Sequence, residues 1–252
     1  MSIKPIVAGN WKMNKTPSNS TLFISNIINI LSDIKSVKVI VSPPFTSLNQ
    51  LVVRSPIYTA AQNCHWEESG AFTGEISIPM LKDCGVEYVI IGHSERRHIF
   101  KEPDKWINNK LKAILAGGLK PILCVGETLD QREKRQTDKV LFQQLTNALA
   151  SVEDLDDFII AYEPVWAIGT GVNANVTQIE NAHKTIKEII NQNINITNDM
   201  HILYGGSVNS NNAEDLISIP VVDGFLIGGA SLDANSFASI VNIVEKNQEK
   251  QK

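Results

Sequence analysis

Short apolar runs rich in β-branched residues recur from one end of the chain to the other, at residues 6–8, 37–41, 57–61, 88–91, 121–125, 158–162, 201–204 and 224–227. Within each run the apolar character is nearly continuous and does not alternate with polar residues, as in strands buried on both faces of a parallel sheet. The stretches between them keep a different rhythm. Leu22, Ile24, Ile27, Ile28 and Leu31 follow the first run, and Ile179, Ala182, Ile186, Ile189 and Ile190 follow the sixth. Their steps are mainly three and four, which builds one apolar helix face. Pro103-Asp104 ahead of Trp106 and Thr177 ahead of Ile179 mark helix starts. The third and seventh intervals have room only for short helices, near residues 80–84 and 213–217.

Eight strand-helix pairs in strict alternation either spread into an open doubly wound sheet or close on themselves. An open dinucleotide-type sheet would carry G-x-G-x-x-G after its first strand, whereas here Gly9-Asn10-Trp11-Lys12 follows. Eight repeats favour closure, so the expected fold is α/β, a single closed (β/α)8 TIM barrel spanning residues 1–252 as one domain.

Composition narrows the function classes. With 252 residues, 43% of them apolar, the chain can bury a full core, and no Gly/Ser linker divides it. The net charge of -4 argues against a nucleic-acid partner or an acidic membrane surface, which would call for a basic face. No stretch approaches the roughly 20 apolar residues of a membrane span, and the opening residues lack the apolar core of a signal peptide, so the expected location is cytoplasmic. Cys64, Cys84 and Cys124 have no CxxC spacing and read as buried hydrophobes. The sequons at Asn14, Asn19, Asn175 and Asn195 read as chance occurrences.

In a closed α/β barrel the reacting groups sit just past the C-terminal strand ends. There the first run delivers Asn10 and Lys12, the fourth His93, Ser94 and Glu95, the sixth Glu163 and Pro164, the seventh Gly205-Gly206-Ser207 and the eighth Gly228-Gly229. Runs two, three and five deliver mostly Pro, amide and thiol groups. Two glycine pairs on successive strands let backbone N-H groups approach an anion, which points to phosphate, with Lys12 as the nearby cation. His93 opens a helix, and a helix N-terminus disfavours an imidazolium, so a neutral hydrogen-bond donor is expected. Glu163 sits at the barrel mouth ahead of Pro164, Val165, Trp166, Ala167, Ile168, Gly169, Thr170 and Gly171, an apolar loop with glycines at one end that reads as a lid. The histidines at 65, 98, 183 and 201 share no metal-ligand spacing, so no metal is expected. A carboxylate base, an imidazole, a lysine and an anion cradle suit proton abstraction next to a carbonyl. The competing readings are a Schiff-base aldolase, for which only Lys12 qualifies, and a non-catalytic phosphate-binding barrel.

At these residues the chain resembles the triosephosphate isomerase family, in segments 8–14, 70–75, 91–97, 161–171, 204–208 and 228–232, spread over residues 6–244. The resemblance implies cofactor-free interconversion of dihydroxyacetone phosphate and D-glyceraldehyde 3-phosphate in glycolysis and gluconeogenesis, with Glu163 as base, His93 as electrophile, and Asn10 and Lys12 as substrate contacts. It implies that Glu95 is a buried partner of Lys12, that Cys124 packs behind the base, and that Gly169, Ser207, Gly228 and Gly229 bind the phosphate. It further implies a homodimer in which the long loop at 63–76, with Phe72 and Thr73, enters the neighbouring subunit near that subunit's Asn10 and Glu95. On this account Trp66 and Phe72 are exposed in the single chain. The resemblance breaks at the lid's far hinge, where the family usually has Lys-Thr-Ala and this chain has Val172-Asn173-Ala174.

Overall fold

The computed structural model describes residues 4–152, 158–168, 174–193 and 200–250. Eight parallel strands close into a barrel in sequence order: β1 (Ile6–Asn10), β2 (Lys38–Ser42), β3 (Ile57–Ala61), β4 (Tyr88–Ile91), β5 (Lys120–Val125), β6 (Ile159–Tyr162), β7 (His201–Tyr204) and β8 (Gly224–Ile227). Ile6 lies between Lys38 and Gly224, which seals the sheet on itself. The eight apolar runs are these strands, with ends differing by no more than two residues.

The helices lie outside: α1 (Pro17–Ile30), α2 (Phe45–Leu48), α3 (Ile78–Asp83), α4 (Ser94–His98), α5 (Asp104–Ala116), α6 (Leu129–Glu133), α7 (Thr137–Ala148), α8 (Val176–Asn193), α9 (Ala213–Ile217) and α10 (Ala234–Lys250). Two expectations need correction. The second interval also holds only one helical turn, α2, and the fourth and fifth hold two helices each. Thr177 does not start α8; Asn175 and Gln178 exchange side-chain and backbone hydrogen bonds of 2.9 Å there, a reciprocal cap one residue before the helix.

Side chains on a strand alternate in direction, and this parity sorts the core into two shells. Ile6, Ala8, Ile40, Ala60, Tyr88, Ile90, Ile122, Cys124, Ile159, Ala161, Leu203 and Leu226 fill the barrel interior. Their neighbours, such as Val7, Val39, Val89, Leu123, Ile160 and Phe225, face the helices. Carried two residues past Ala8, Ala161, Leu203 and Leu226, the inward parity arrives at Asn10, Glu163, Gly205 and Gly228. All four line one cavity at the C-terminal mouth.

Candidate active site

That cavity, about 240 Å³, is also lined by Lys12, His93, Ile168, Gly206, Ser207 and Gly229. Asn10, His93 and Glu163 are buried. Their placement follows from local backbone chemistry. After β4 the chain takes φ +67° at Gly92, and a Cβ there would meet the Arg97 guanidinium at 2.9 Å and the Cys124 carbonyl at 3.0 Å, so glycine is required. His93 then caps α4, its Nδ1 accepting the Glu95 N-H at 3.2 Å. A ring nitrogen that accepts carries no proton, which leaves Nε2-H as the donor. It faces Glu163 Oε1 at 3.1 Å, and Glu163 Oε2 accepts the Ser94 N-H at 2.9 Å.

Lys12 occupies the left-handed region at φ 52°. Its N-H donates to Asn10 Oδ1 at 3.0 Å, and Gln62 Nε2 donates both to its carbonyl at 2.8 Å and to the Ser42 carbonyl at 2.9 Å. With its oxygen so occupied, the Asn10 amide has its NH2 to offer the cavity. Lys12 Nζ pairs with Glu95 Oε1 at 2.7 Å. In the single chain the Glu95 side chain is 39% exposed, not buried as the resemblance implied. This partnered, partly exposed lysine is not the desolvated amine that Schiff-base chemistry needs.

The electrostatics centre on one pair. Burial pushes the His93 pKa down, but the charge and hydrogen bond of Glu163, with the Glu95 carboxylate, together outweigh it, and the net direction is up. Burial pushes Glu163 up, and His93, the Ser94 N-H and Lys12 together hold it below the ordinary carboxylate value. The ring is therefore the neutral Nε2-H donor expected at a helix terminus, and the carboxylate 3.1 Å away raises its affinity for a second proton. Behind the pair, the Cys124 thiol hydrogen-bonds Glu163, and its pKa is raised first by burial and then by that carboxylate.

The family model of triosephosphate isomerase matches residues 5–244. A triosephosphate isomerase of Aquifex aeolicus is 47% identical, over 95% of this chain and 99% of that protein. One of Trichlorobacter lovleyi is 46% identical, over 94% and 97% respectively, and one of Prosthecochloris aestuarii 46%, over 97% and 99%. The chain belongs to the triosephosphate isomerase family.

Within this family member, sequence reasoning overlooked Glu127. It follows β5, where mostly amide, Pro and thiol groups were expected, and it is fully buried. Its carboxylate accepts from Trp166 Nε1 at 3.0 Å and from the Tyr162 hydroxyl at 3.1 Å, and pairs with Arg132 at 2.8 Å. Arg132 also lies over the Trp166 ring at 4.6 Å. The signal was a Gly-Glu-Thr immediately past a strand. Arg97 was overlooked as well: it donates to the Gly92 and Cys124 carbonyls and pairs with Asp104, fixing the turn that presents His93.

Of the proposed lid, Val165–Ala167 form a 3-10 turn, and the Ala167 carbonyl accepts the Ser207 hydroxyl at 2.9 Å. Gly169, Thr170, Gly171, Val172 and Asn173 lie outside the described residues. Phe72 and Thr73 are exposed, whereas Trp66, expected to be exposed, is half-buried between His65 and Trp106, with ring centroids at 4.2 and 5.7 Å. Among the described residues, no group of three or more His, Cys, Asp or Glu side chains could hold a metal ion, and no helix is long and apolar enough to cross a membrane.

Proposed function

We propose that this chain interconverts dihydroxyacetone phosphate and D-glyceraldehyde 3-phosphate by proton transfer through an enediolate. The observation that carries the chemistry is the Glu163-His93 pair at 3.1 Å on the floor of a cavity shared with Lys12, Asn10 and two glycine pairs. Glu163 takes a proton from C1 of the ketone, the C-H electron pair becomes the C1=C2 bond, and the carbonyl oxygen on C2 becomes the oxyanion. His93 Nε2-H, the Asn10 amide and the Lys12 ammonium stabilise that charge. His93 gives its proton to the C2 oxygen and recovers one from the C1 oxygen, while Glu163 returns its proton to C2, leaving the aldehyde. Both Glu163 oxygens are already hydrogen-bonded in the resting site, so the carboxylate gives up at least one of those bonds to reach carbon.

The phosphate is assigned to backbone N-H groups at Ser207, Gly228 and Gly229, next to Lys12 and past the ends of β7 and β8, and to that of Gly169 in the lid sequence. The lid, Pro164 to Gly171, closes over the labile intermediate and excludes water. Glu95 orients Lys12. Cys124 supports Glu163 from behind.

The acting unit is a homodimer in the cytoplasm, the ordinary setting of this glycolytic step. Exposed apolar side chains on the loops after β1, β3 and β4 support the dimer: Met13 at 96%, Phe72 at 43%, Ile99 at 68% and Phe100 at 65%. Placing Phe72 and Thr73 in the partner's mouth would cover Glu95. The experiment is a coupled assay for glyceraldehyde 3-phosphate formation with the purified chain and no added metal. Turnover is expected from the wild type, and its absence would refute the reading.

A further inference from the structure

Lys15 is, with Lys12, one of two residues in the β1-to-α1 loop held in the left-handed region, at φ 70°. A residue bearing a Cβ keeps that conformation only where its surroundings hold it. Unlike Lys12, it does not line the cavity. Its Nζ crosses instead to the far end of the chain and donates to the Leu232 carbonyl at 2.7 Å. The ammonium lies 4.6 Å from the centre of the Phe23 ring and 5.4 Å from that of Trp11. Those two rings pack edge to face at 4.8 Å, and Phe23 meets Phe237 of α10 at 6.4 Å. Burial lowers the Lys15 pKa, and the Asp233 carboxylate opposes that.

Leu232 ends the 3-10 turn Gly229–Ser231, whose other end opens on the cavity. Inside the turn the Ser231 and Leu232 N-H groups are spent on the Gly228 and Gly229 carbonyls at 2.9 and 3.1 Å, and the Ser231 hydroxyl also donates to Gly228 at 2.6 Å. The first N-H groups of such a turn have no acceptor within it and are the ones that can meet an anion. On its other side the turn rests on β1, where a Cβ at Gly9 would stand 2.9 Å from Ser231 Cβ. Lys12 Cε and Nζ lie 3.6 and 4.0 Å from where a Gly228 Cβ would be, so the spacing between ammonium and turn is set by how the β1 loop is fastened.

We propose that Lys15 is a positioning residue for the substrate's phosphate, tying the loop that carries Lys12 to the turn that carries the backbone donors, through its bond to the Leu232 carbonyl. The proposal rests on the phosphate assignment above. Its test uses Lys15→Met, which keeps the aliphatic stem against Phe23 and Trp11 and removes the ammonium, and Lys15→Arg, which restores a cationic donor. Binding of inorganic phosphate is followed by amide shifts of Gly228 and Gly229, and kinetics are measured with glyceraldehyde 3-phosphate and with unphosphorylated glyceraldehyde. In Lys15→Met the phosphate Kd and the KM for the phosphorylated substrate rise together by about fivefold, the size of effect of one lost hydrogen bond. Reactivity toward glyceraldehyde falls by less than that toward the phosphorylated substrate, since Lys12 also faces the oxyanion, and Lys15→Arg recovers most of the loss. An unchanged phosphate Kd in Lys15→Met, or equal losses on both substrates, overturns the proposal. Phosphate binding needs no turnover, so a wild type that binds phosphate without isomerising refutes the proposed activity while the Kd still decides the role of Lys15.

Discussion

The resting contacts of Glu163 carry both its charge and its cost. Its oxygens accept from His93 and Ser94, which holds it ionised below the usual carboxylate range, ready to act as a base at neutral pH. Shortening the side chain in Glu163→Asp withdraws the carboxylate by on the order of 1 Å and lowers kcat by about a hundredfold, with the fold retained on circular dichroism. His93→Gln replaces the imidazole donor with a weaker one and slows enolisation by roughly a hundredfold, read as exchange of substrate protons with deuterated solvent by NMR. The histidine's own titration gives an independent check. In the free protein its pKa lies above the ordinary imidazole value, because the Glu163 and Glu95 carboxylates together outweigh burial. Removing the Glu163 charge in Glu163→Gln leaves burial and Lys12 acting against the Glu95 carboxylate 3.7 Å from Nδ1, so the titration followed by 15N NMR moves down. A value unmoved by the substitution would contradict the pairing.

Among elements, the strands were legible because a strand buried on both faces needs continuous apolar character, which no exposed segment imitates. The mouth residues were legible for the same reason: parity carried from Ala161 to Glu163 requires no tertiary information. Glu127 was not legible as a lid anchor. Its partners Tyr162, Trp166 and Arg132 come from β6, the 3-10 turn after it and α6, and nothing local shows that they converge. Nor was the resting bond from Ser94 to Glu163, which joins residues 69 apart. The one-turn α2 escaped because residues 49–56 leave little room before β3 and include β-branched Val52 and Val53, poor helix formers. The Trp166-Glu127 bond fastens the first turn of the proposed lid. Trp166→Phe, which keeps the ring and loses the donor, therefore shifts kcat and KM together by roughly two- to tenfold, the range for one hydrogen bond. Steady-state kinetics that leave both unchanged would separate that turn from closure.

For the molecule as a whole, a buried histidine away from the mouth sets an acid limit on stability. His183 is fully buried, its Nδ1 bonded to the Val221 carbonyl at 2.9 Å, and burial pushes its pKa down to about 4. The unfolded chain, at an ordinary 6.5, binds this proton first as the pH falls, so stability is complete above 6.5 and is lost progressively toward 4. At pH 5 the loss is about 2 kcal/mol. Urea unfolding at pH 7 and pH 5 measures it, and His183→Gln flattens that share of the difference; an equal slope in the variant would place the acid sensitivity elsewhere. The proposed dimer makes activity fall on dilution, and removing residues 69–74 yields an inactive monomer by sedimentation; a fully active monomer would refute the loop's role in the neighbouring site.

The central claim is that Glu163 moves a carbon-bound proton between C1 and C2. Its most direct test is conversion of dihydroxyacetone phosphate in deuterated water by the wild type and by Glu163→Gln, with the product trapped and read by proton NMR. Glyceraldehyde 3-phosphate carrying deuterium at C2 is expected from the wild type, with a nearly complete loss of conversion in the variant. Product formed entirely without solvent deuterium, or a variant that keeps wild-type turnover, would contradict it.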